Sequence, residues 1–247
     1  MLLKNKTAVI TGCNRGIGKK ILEIFSENGA TIFACVRKND ENFQKLINDL
    51  KTKNNTNIFP VELDLNSEES VEKSAQIILK SNQTIDILIN NAGIIHNSLF
   101  QMTTIDNLKK IFQINYFSLT KFTQYILKSI IKKKRGSIVY IASTSALDNT
   151  IGRNAYSSTK AAIISQAHTL SREVGRFNIR VNSVSPGLTE TEMMSKNTSE
   201  KTLKDVVSNL SLKRIADPQE IAKVVLFLSS DLSSYVTGQN IRVDGGM

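Results

Sequence analysis

The chain predicts an α/β fold: one mainly parallel, seven-stranded sheet, doubly wound, with helices on both faces. Three observations lead there. Short, continuously apolar runs alternate from end to end with stretches of helical spacing, which is how a parallel sheet covered on both faces reads. The first apolar run empties into a glycine-rich turn that opens directly into a helix. No linker, repeat or low-complexity segment divides the 247 residues, so a single domain is expected. Right-handed crossovers then wind the helices onto both faces.

Taken in order, residues 8–10 (Ala-Val-Ile) form the first strand and residues 18–28 the first helix. Residues 31–36 (Thr-Ile-Phe-Ala-Cys-Val) and 58–61 follow as short strands rich in β-branched and aromatic residues. Residues 67–80 carry apolar positions at helical spacing, and residues 85–89 return to a strand. A long helix over 108–132 leads to the strand 137–141, and a second long helix over 156–175 leads to the strand 179–184. The stretch 190–212 has no strand signal and is the least regular part of the chain, which suits a substrate lid. Residues 240–243 (Asn-Ile-Arg-Val) close the sheet as its seventh strand.

Hydrophobic residues make up 40% of the chain and charged residues 22%, ordinary values for a globular domain. That length buries enough apolar surface to need no disulfide or metal. Cys13 and Cys35 are too few for a disulfide framework and poorly placed for a zinc site, and no metal is expected. Met1 to Lys6 run straight into a strand without a signal-peptide core, and no apolar run reaches membrane-spanning length. A reduced, cytoplasmic setting fits. The net charge of +10 comes mostly from scattered lysines. The one dense run, Lys132 to Arg135, ends a helical segment, where cations complement the helix dipole. Nucleic acid is therefore not an expected partner.

Chemistry enters at the first turn, Thr11-Gly-Cys-Asn-Arg-Gly-Ile-Gly18. Glycines at 12, 16 and 18 permit a tight turn and close approach of backbone to a pyrophosphate, and the following helix N-terminus supplies free N–H groups. An acidic residue ending the second strand would hold the 2′-hydroxyl of NAD, whereas arginine suits a 2′-phosphate. Here the strand ends Val36-Arg37-Lys38, with no carboxylate before Asp40, and Arg15 can add a second cation. NADP(H) is the expected cofactor.

Further along, Tyr156 and Lys160 stand four residues apart on a predicted helix, with Cβ atoms about 5–6 Å apart. An ammonium there would favour the phenolate and lower the tyrosine pKa toward neutrality, which suits proton transfer to or from a substrate oxygen. Ser143, Thr144 and Ser145 follow the strand 137–141, at the carboxyl edge where open α/β sheets bind ligands.

With these residues in view, the whole chain resembles the short-chain dehydrogenase/reductase family in its compact single-domain (Rossmann) form. The resemblance rests on Thr11-Gly12-x-x-x-Gly16-x-Gly18, Asn90-Asn-Ala-Gly93, Asn115, Ser143 with Tyr156-x-x-x-Lys160, Pro186-Gly187, Tyr235-Val-Thr-Gly-Gln and Val243-Asp-Gly-Gly246. It implies that Ser143, Tyr156, Lys160 and Asn115 are catalytic. Ser143 is selected over its neighbours by its spacing of thirteen residues before the tyrosine, and Asn115 would anchor a water path to the lysine. It also implies cofactor contacts at Gly12, Asn14, Arg15, Gly16, Ile17 and Gly18, at Arg37, Asp64 and Leu65, and at Asn91, Ala92 and Gly93. Tyr156 and Lys160 would contact the cofactor as well, Lys160 through the nicotinamide ribose. The turn Pro186, Gly187, Leu188, Thr189 and Thr191 would meet the carboxamide.

The reaction so implied is hydride transfer between NADP(H) and a ketone or secondary alcohol. Within the family the resemblance runs to the 3-oxoacyl-acyl-carrier-protein reductases of fatty acid biosynthesis, through Asn90 to Ile94, Ser171-Arg-Glu-Val174, Pro186 to Thr191 and Asp244 to Met247. An acidic acyl carrier protein would then dock on basic residues, with Lys133, Lys134, Arg135, Arg172 and Arg176 as candidates. A sugar, polyol or other small ketone stays open as substrate, because residues 94–98 and 144–150 depart from the pattern on the substrate side. A non-catalytic NADP-binding protein of the same fold is a more remote alternative. His96 is a candidate for the substrate mouth, and His168 is expected to be structural. Family members commonly pair the helices 108–132 and 156–175 across a twofold, so a homotetramer is expected.

Overall fold

The continuous apolar runs become strands, the central ones buried on both faces and the two edge strands only in part. In the computed structural model, which describes residues 1–81, 83–148 and 150–247, they are β1 (Thr7–Thr11), β2 (Thr31–Val36), β3 (Ile58–Glu62), β4 (Ile87–Asn90), β5 (Gly136–Ile141), β6 (Ile179–Pro186) and β7 (Asn240–Val243). They form one sheet in the order β3-β2-β1-β4-β5-β6-β7, and every pairing is parallel. The mainly parallel sheet expected from sequence is thus parallel throughout the described residues. Pro60, which cannot donate to a ladder, lies on the edge strand β3.

Ten α-helices are described: α1 (Gly16–Glu27), α2 (Glu41–Asn54), α3 (Glu68–Lys80), α4 (Ile105–Phe112), α5 (Ser118–Lys133), α6 (Ser145–Asp148), α7 (Asn154–Val174), α8 (Glu192–Asn197), α9 (Glu200–Asn209) and α10 (Pro218–Ser229). Side chains alternate across each strand, so the central strands feed two cores. Ala8, Ile10, Ile87 and Ile89 pack with Phe25 of α1, Ile47 of α2 and Val225 of α10. Val9, Leu88, Ile138 and Tyr140 face the opposite way, against Ile78 of α3, Phe122 of α5 and Ile163 of α7. Among the described residues no helix is long and apolar enough to cross a membrane.

Two expectations change. The helix predicted over 108–132 is α4 and α5 joined by a π-helical turn, Gln113–Phe117, which carries Asn115. A single widened turn leaves the apolar period nearly intact, so the sequence gives no sign of it. The irregular stretch 190–212 contains α8 and α9, neither with a buried residue. Hydroxyl caps start them: Thr191 accepts from the N–H of Met194, and Ser199 from that of Thr202.

Strand order fixes the position of the site. β1 lies between β2 and β4, so the connections leaving β1 and β4 diverge to opposite sides. A crevice opens at the carboxyl edge over that switch point.

Candidate active site

A cavity of about 890 Å³ runs along this edge, in the size range of a cofactor or ligand pocket. Its floor is the turn between β1 and α1. Gly12 has φ +73°, and a Cβ there would lie 2.9 Å from Ala92 Cα. A Cβ on Gly18 would overlap the carbonyl oxygen of Gly12 and the Asn91 amide. Asn91 Nδ2 donates to the carbonyls of Thr11 and Gly12, both at 3.0 Å, while Thr11 Oγ1 accepts from the N–H groups of Asn91 and Ala92. The loops after β1 and β4 are thereby stitched together, and the Asn91 side chain serves the loop. Gly12, Asn14, Arg15, Gly16, Ile17 and Gly18 all line the cavity. The cradle would be filled by any side chain at 12 or 18, and it opens onto the N-terminus of α1. These features fit a dinucleotide pyrophosphate.

One end of the cavity is lined by Arg37, Asp64 and Leu65. Asp40, the first acid after β2, is occupied as the N-cap of α2, accepting from Phe43 N at 2.9 Å. The Glu62 carboxylate accepts from the N–H of Asn39 at 3.0 Å. Hydrogen bonds from Asn66, with a smaller contribution from the Arg37 charge, hold the Asp64 carboxyl below its usual range. Arg15 departs from expectation: its guanidinium is 3.2 Å from Glu192 of α8, so it pairs with the predicted lid. Asn91, Ala92 and Gly93 line the middle of the cavity.

The other end gathers Ser143, Tyr156 and Lys160. Of the three candidate hydroxyls after β5, Ser143 alone lines the cavity among the described residues. The N–H of Ser145 donates to Ser143 Oγ at 3.1 Å, leaving the Ser143 proton to be donated elsewhere. The pairing of Tyr156 and Lys160 is not the one their spacing suggests. Lys160 Nζ donates to the carbonyl of Ile141 at 2.7 Å and stands 5.6 Å from the centre of the Tyr156 ring. Burial pushes the Lys160 ammonium down to about 8. Tyr156 is raised rather than lowered, because burial outweighs a hydrogen bond from Ser143 and the charge of Arg153.

Asn115 does not line the cavity. It is fully buried behind it, where Oδ1 accepts from Ile94 N and Nδ2 donates to Ile94 O, both at 2.8 Å, and to Thr159 Oγ1 at 3.2 Å. A Cβ built on Gly93 would lie 3.2 Å from Asn115 Oδ1 and 3.7 Å from Lys160 Nζ. Asn115 therefore fixes the loop against which Lys160 rests.

Known proteins share this chain's sequence pattern and fold along its length. A family model described as enoyl-(acyl carrier protein) reductase matches residues 12–247. The chain is 36% identical over 246 residues to 3-oxoacyl-[acyl-carrier-protein] reductase FabG of Chlamydia muridarum, covering 100% of this chain and 98% of that protein. It is 35% identical to FabG of Aquifex aeolicus, covering 99% and 98%. A solved short chain dehydrogenase/reductase family protein superposes with a TM-score of 0.88 at 30% identity, covering 100% and 98%. The chain belongs to the short-chain dehydrogenase/reductase family. A 7α-hydroxysteroid dehydrogenase complexed with NADH and 7-oxo glycochenodeoxycholic acid superposes with a TM-score of 0.93 at 28% identity, covering 99% and 94%.

In this short-chain dehydrogenase/reductase the turn after β6 completes the site. Pro186, Gly187, Leu188, Thr189 and Thr191 line the cavity. The Thr191 hydroxyl caps α8, and Thr189 Oγ1 donates to Gly187 O at 3.0 Å. His96 does not line the cavity; its Nε2 is buried without a partner among the described residues. His168 lies on the exposed face of α7, 3.2 Å from Gly238 O. Cys13 is buried with its thiol directed to Ile10 O, and burial raises it well above the ordinary thiol range. Residues 144–150 were expected on the substrate side, but Asn149 lies outside the described residues.

The proposed carrier-docking residues lie elsewhere. Lys133, Lys134 and Arg135 precede β5, at the amino edge of the sheet opposite the cavity. Lys133 is tied to Asp86 and Arg135 to Asp231, and Arg176 packs over Phe177. Arg172 is sixteen residues from Tyr156 along α7, about 24 Å at 1.5 Å per residue. Sequence reasoning also missed lining residues. Arg153, Lys110, Met193, Met194 and Thr198 all reach the cavity, and only the spacing of Arg153 to Tyr156 offered a clue.

Proposed function

We propose that this oxidoreductase is an NADP(H)-dependent ketoreductase of 3-oxoacyl thioesters, in the manner of a 3-oxoacyl-acyl-carrier-protein reductase of cytoplasmic fatty acid biosynthesis. The observation that carries the reading is the convergence of Ser143, Tyr156 and Lys160 at one end of a glycine-floored cavity. The full-length likeness to proteins named for that reaction supports it.

When bound, the nicotinamide supplies a hydride to the ketone carbon in reduction and accepts it in oxidation. The protein supplies the rest. Ser143, with its oxygen already accepting from Ser145 N–H, donates a hydrogen bond to the ketone oxygen and orients it, keeping its own proton. Burial keeps the Tyr156 phenol protonated, so it serves as general acid, and its Oη proton passes to that oxygen to give the secondary alcohol. Lys160 holds the nicotinamide ribose while keeping its anchor on Ile141 O. Arg37 takes the 2′-phosphate in a charge-assisted contact, since Asp40 and Glu62 are engaged elsewhere. The segment 190–212 closes over the site as a lid.

The test is NADPH oxidation with an acetoacetyl thioester, a panel of sugars and small ketones, and a crotonyl thioester for the enoyl chemistry in the family model's description. The thioester ketone is expected to be reduced fastest, and Tyr156→Phe to lose at least a hundredfold in kcat. Full turnover by Tyr156→Phe would sink the mechanism. Faster turnover of a sugar or polyol would move the substrate to the alternative class. Phe100, Met102, Ile105 and Phe117, all exposed beside or on α4 and α5, supply the apolar face for a homotetramer. Sedimentation is expected at the tetramer mass, and a monomer at micromolar concentration would refute that assembly.

A further inference from the structure

Arg153 is a cation facing the substrate end of the cavity that neither the sequence motifs nor the proposed proton transfer uses. It is the N-cap residue of α7, three residues before Tyr156, and it lines the same cavity as Tyr156 and Ser143. Among the described residues its guanidinium makes no hydrogen bond or ion pair. The acid nearest in sequence, Asp148 of α6, is bound by both terminal nitrogens of Arg242 at 2.8 and 2.9 Å. Two acids line the cavity, and neither answers Arg153: Asp64 is at the Arg37 end, and Glu192 is paired with Arg15.

The surroundings define what Arg153 faces. Residue 98 donates its N–H to Gly152 O at 2.8 Å, next to Arg153, while Asn97 Nδ2 donates to Asn197 O and Oδ1. One loop thus ties the start of α7 to the segment joining α8 to α9. Thr198, in that segment, lines the cavity with a buried hydroxyl that has no partner among the described residues. Ile94, Ile95, Met193 and Met194 are apolar residues lining the same cavity, which Lys110 also reaches. A guanidinium at the edge of an apolar pocket calls for an acceptor oxygen on whatever enters.

We infer that Arg153 is a specificity-determining residue that donates to the carbonyl or carboxylate oxygen two carbons from the reacting ketone, so that 3-oxoacyl groups are selected over simple ketones. This rests on the ketoreductase reading above. The ketone oxygen sits at Ser143 and Tyr156, and the C1 oxygen of a 3-oxoacyl group then falls toward the residue one helical turn earlier. The thioester carbonyl and the free carboxylate share that acceptor chemistry, and separate substrates distinguish them.

The experiment measures kcat and KM for the acetoacetyl thioester of N-acetylcysteamine, for acetoacetate and for cyclohexanone with the wild type, Arg153→Gln and Arg153→Lys. Loss of a charged donor is expected to raise KM for the two 3-oxoacyl compounds about tenfold or more in Arg153→Gln. The KM for cyclohexanone should change far less, and kcat for all three should move little. Arg153→Lys keeps the charge and loses the planar fork, so it should fall between; it also serves if Arg153→Gln does not fold. A larger effect on acetoacetate than on the thioester identifies a carboxylate as the preferred acceptor. Equal changes across all three substrates, or none, would overturn the inference. A wild type that reduces acetoacetate and cyclohexanone but no thioester would instead refute the thioester reading, with Arg153 still judged by the other two.

Discussion

Lys160 is the residue whose surroundings differ most from what its spacing to Tyr156 suggests. Four residues on a helix fix where two Cβ atoms lie, not where a four-carbon side chain ends. Here Nζ reaches the carbonyl that closes β5. Burial lowers Lys160 to about 8, whereas Tyr156 is raised above its ordinary value. The signs separate the two groups in a pH titration. Lys160 is charged below about pH 8 and neutral above it, while Tyr156 stays protonated past the ordinary tyrosine range. In the reduction direction, kcat/KM should therefore fall as pH rises through about 8, when the ammonium that holds the ribose is lost. Arginine does not titrate in this range, so Lys160→Arg should lower the rate but abolish that limb. A limb near pH 8 that persists in Lys160→Arg would assign it to another group.

Among the elements, the π-helical turn between α4 and α5 has the clearest consequence. It brings Asn115 to the loop after β4, where one amide side chain satisfies both backbone groups of Ile94 and also reaches Thr159 on α7. Asn115→Ala would strand the half-buried N–H and C=O of Ile94. The cost is about 1–3 kcal/mol of stability for groups left unsatisfied, and Lys160 loses the loop that backs it. Denaturant unfolding should report that loss, and kcat should fall together with it. Asn115→Asp, which still accepts from Ile94 N–H, should recover part of the stability; no difference between the two variants would argue against the clamp. Asn115 itself was legible as a polar interruption of an apolar stripe. Its task was not, because a π turn leaves no periodic trace. Helices α8 and α9 were illegible for a different reason: they bury nothing, so no apolar period marks them. Strands β1, β2, β4, β5 and β6 were readable because each is apolar toward two cores, and the edge strand β7 because Ile241 and Val243 alternate toward one.

For the molecule as a whole, folding stability reads the preference between two dinucleotides. The cavity's lining was legible in part, as a glycine-rich turn followed by a strand leading to Arg37. The engagement of Asp40 is a local helix cap onto Phe43, but that of Arg15 by Glu192 depends on tertiary placement that no spacing reveals. With Arg15 paired, Arg37 is the cavity-lining cation proposed to take a 2′-phosphate. A ligand that binds only the folded state stabilises it by about 2.7 kcal/mol at a hundred times its Kd. For a domain of this size that corresponds to a melting shift of roughly 5–10 °C. NADPH should give a shift in that range. NADH at equal concentration should give a clearly smaller one, since it lacks a charge-assisted contact of about 1.5–3 kcal/mol. Arg37→Asp should invert the order by repelling the phosphate and offering a carboxylate to the ribose hydroxyls. Equal shifts for the two cofactors in the wild type, or an unchanged order in Arg37→Asp, would remove Arg37 from the recognition of NADP(H).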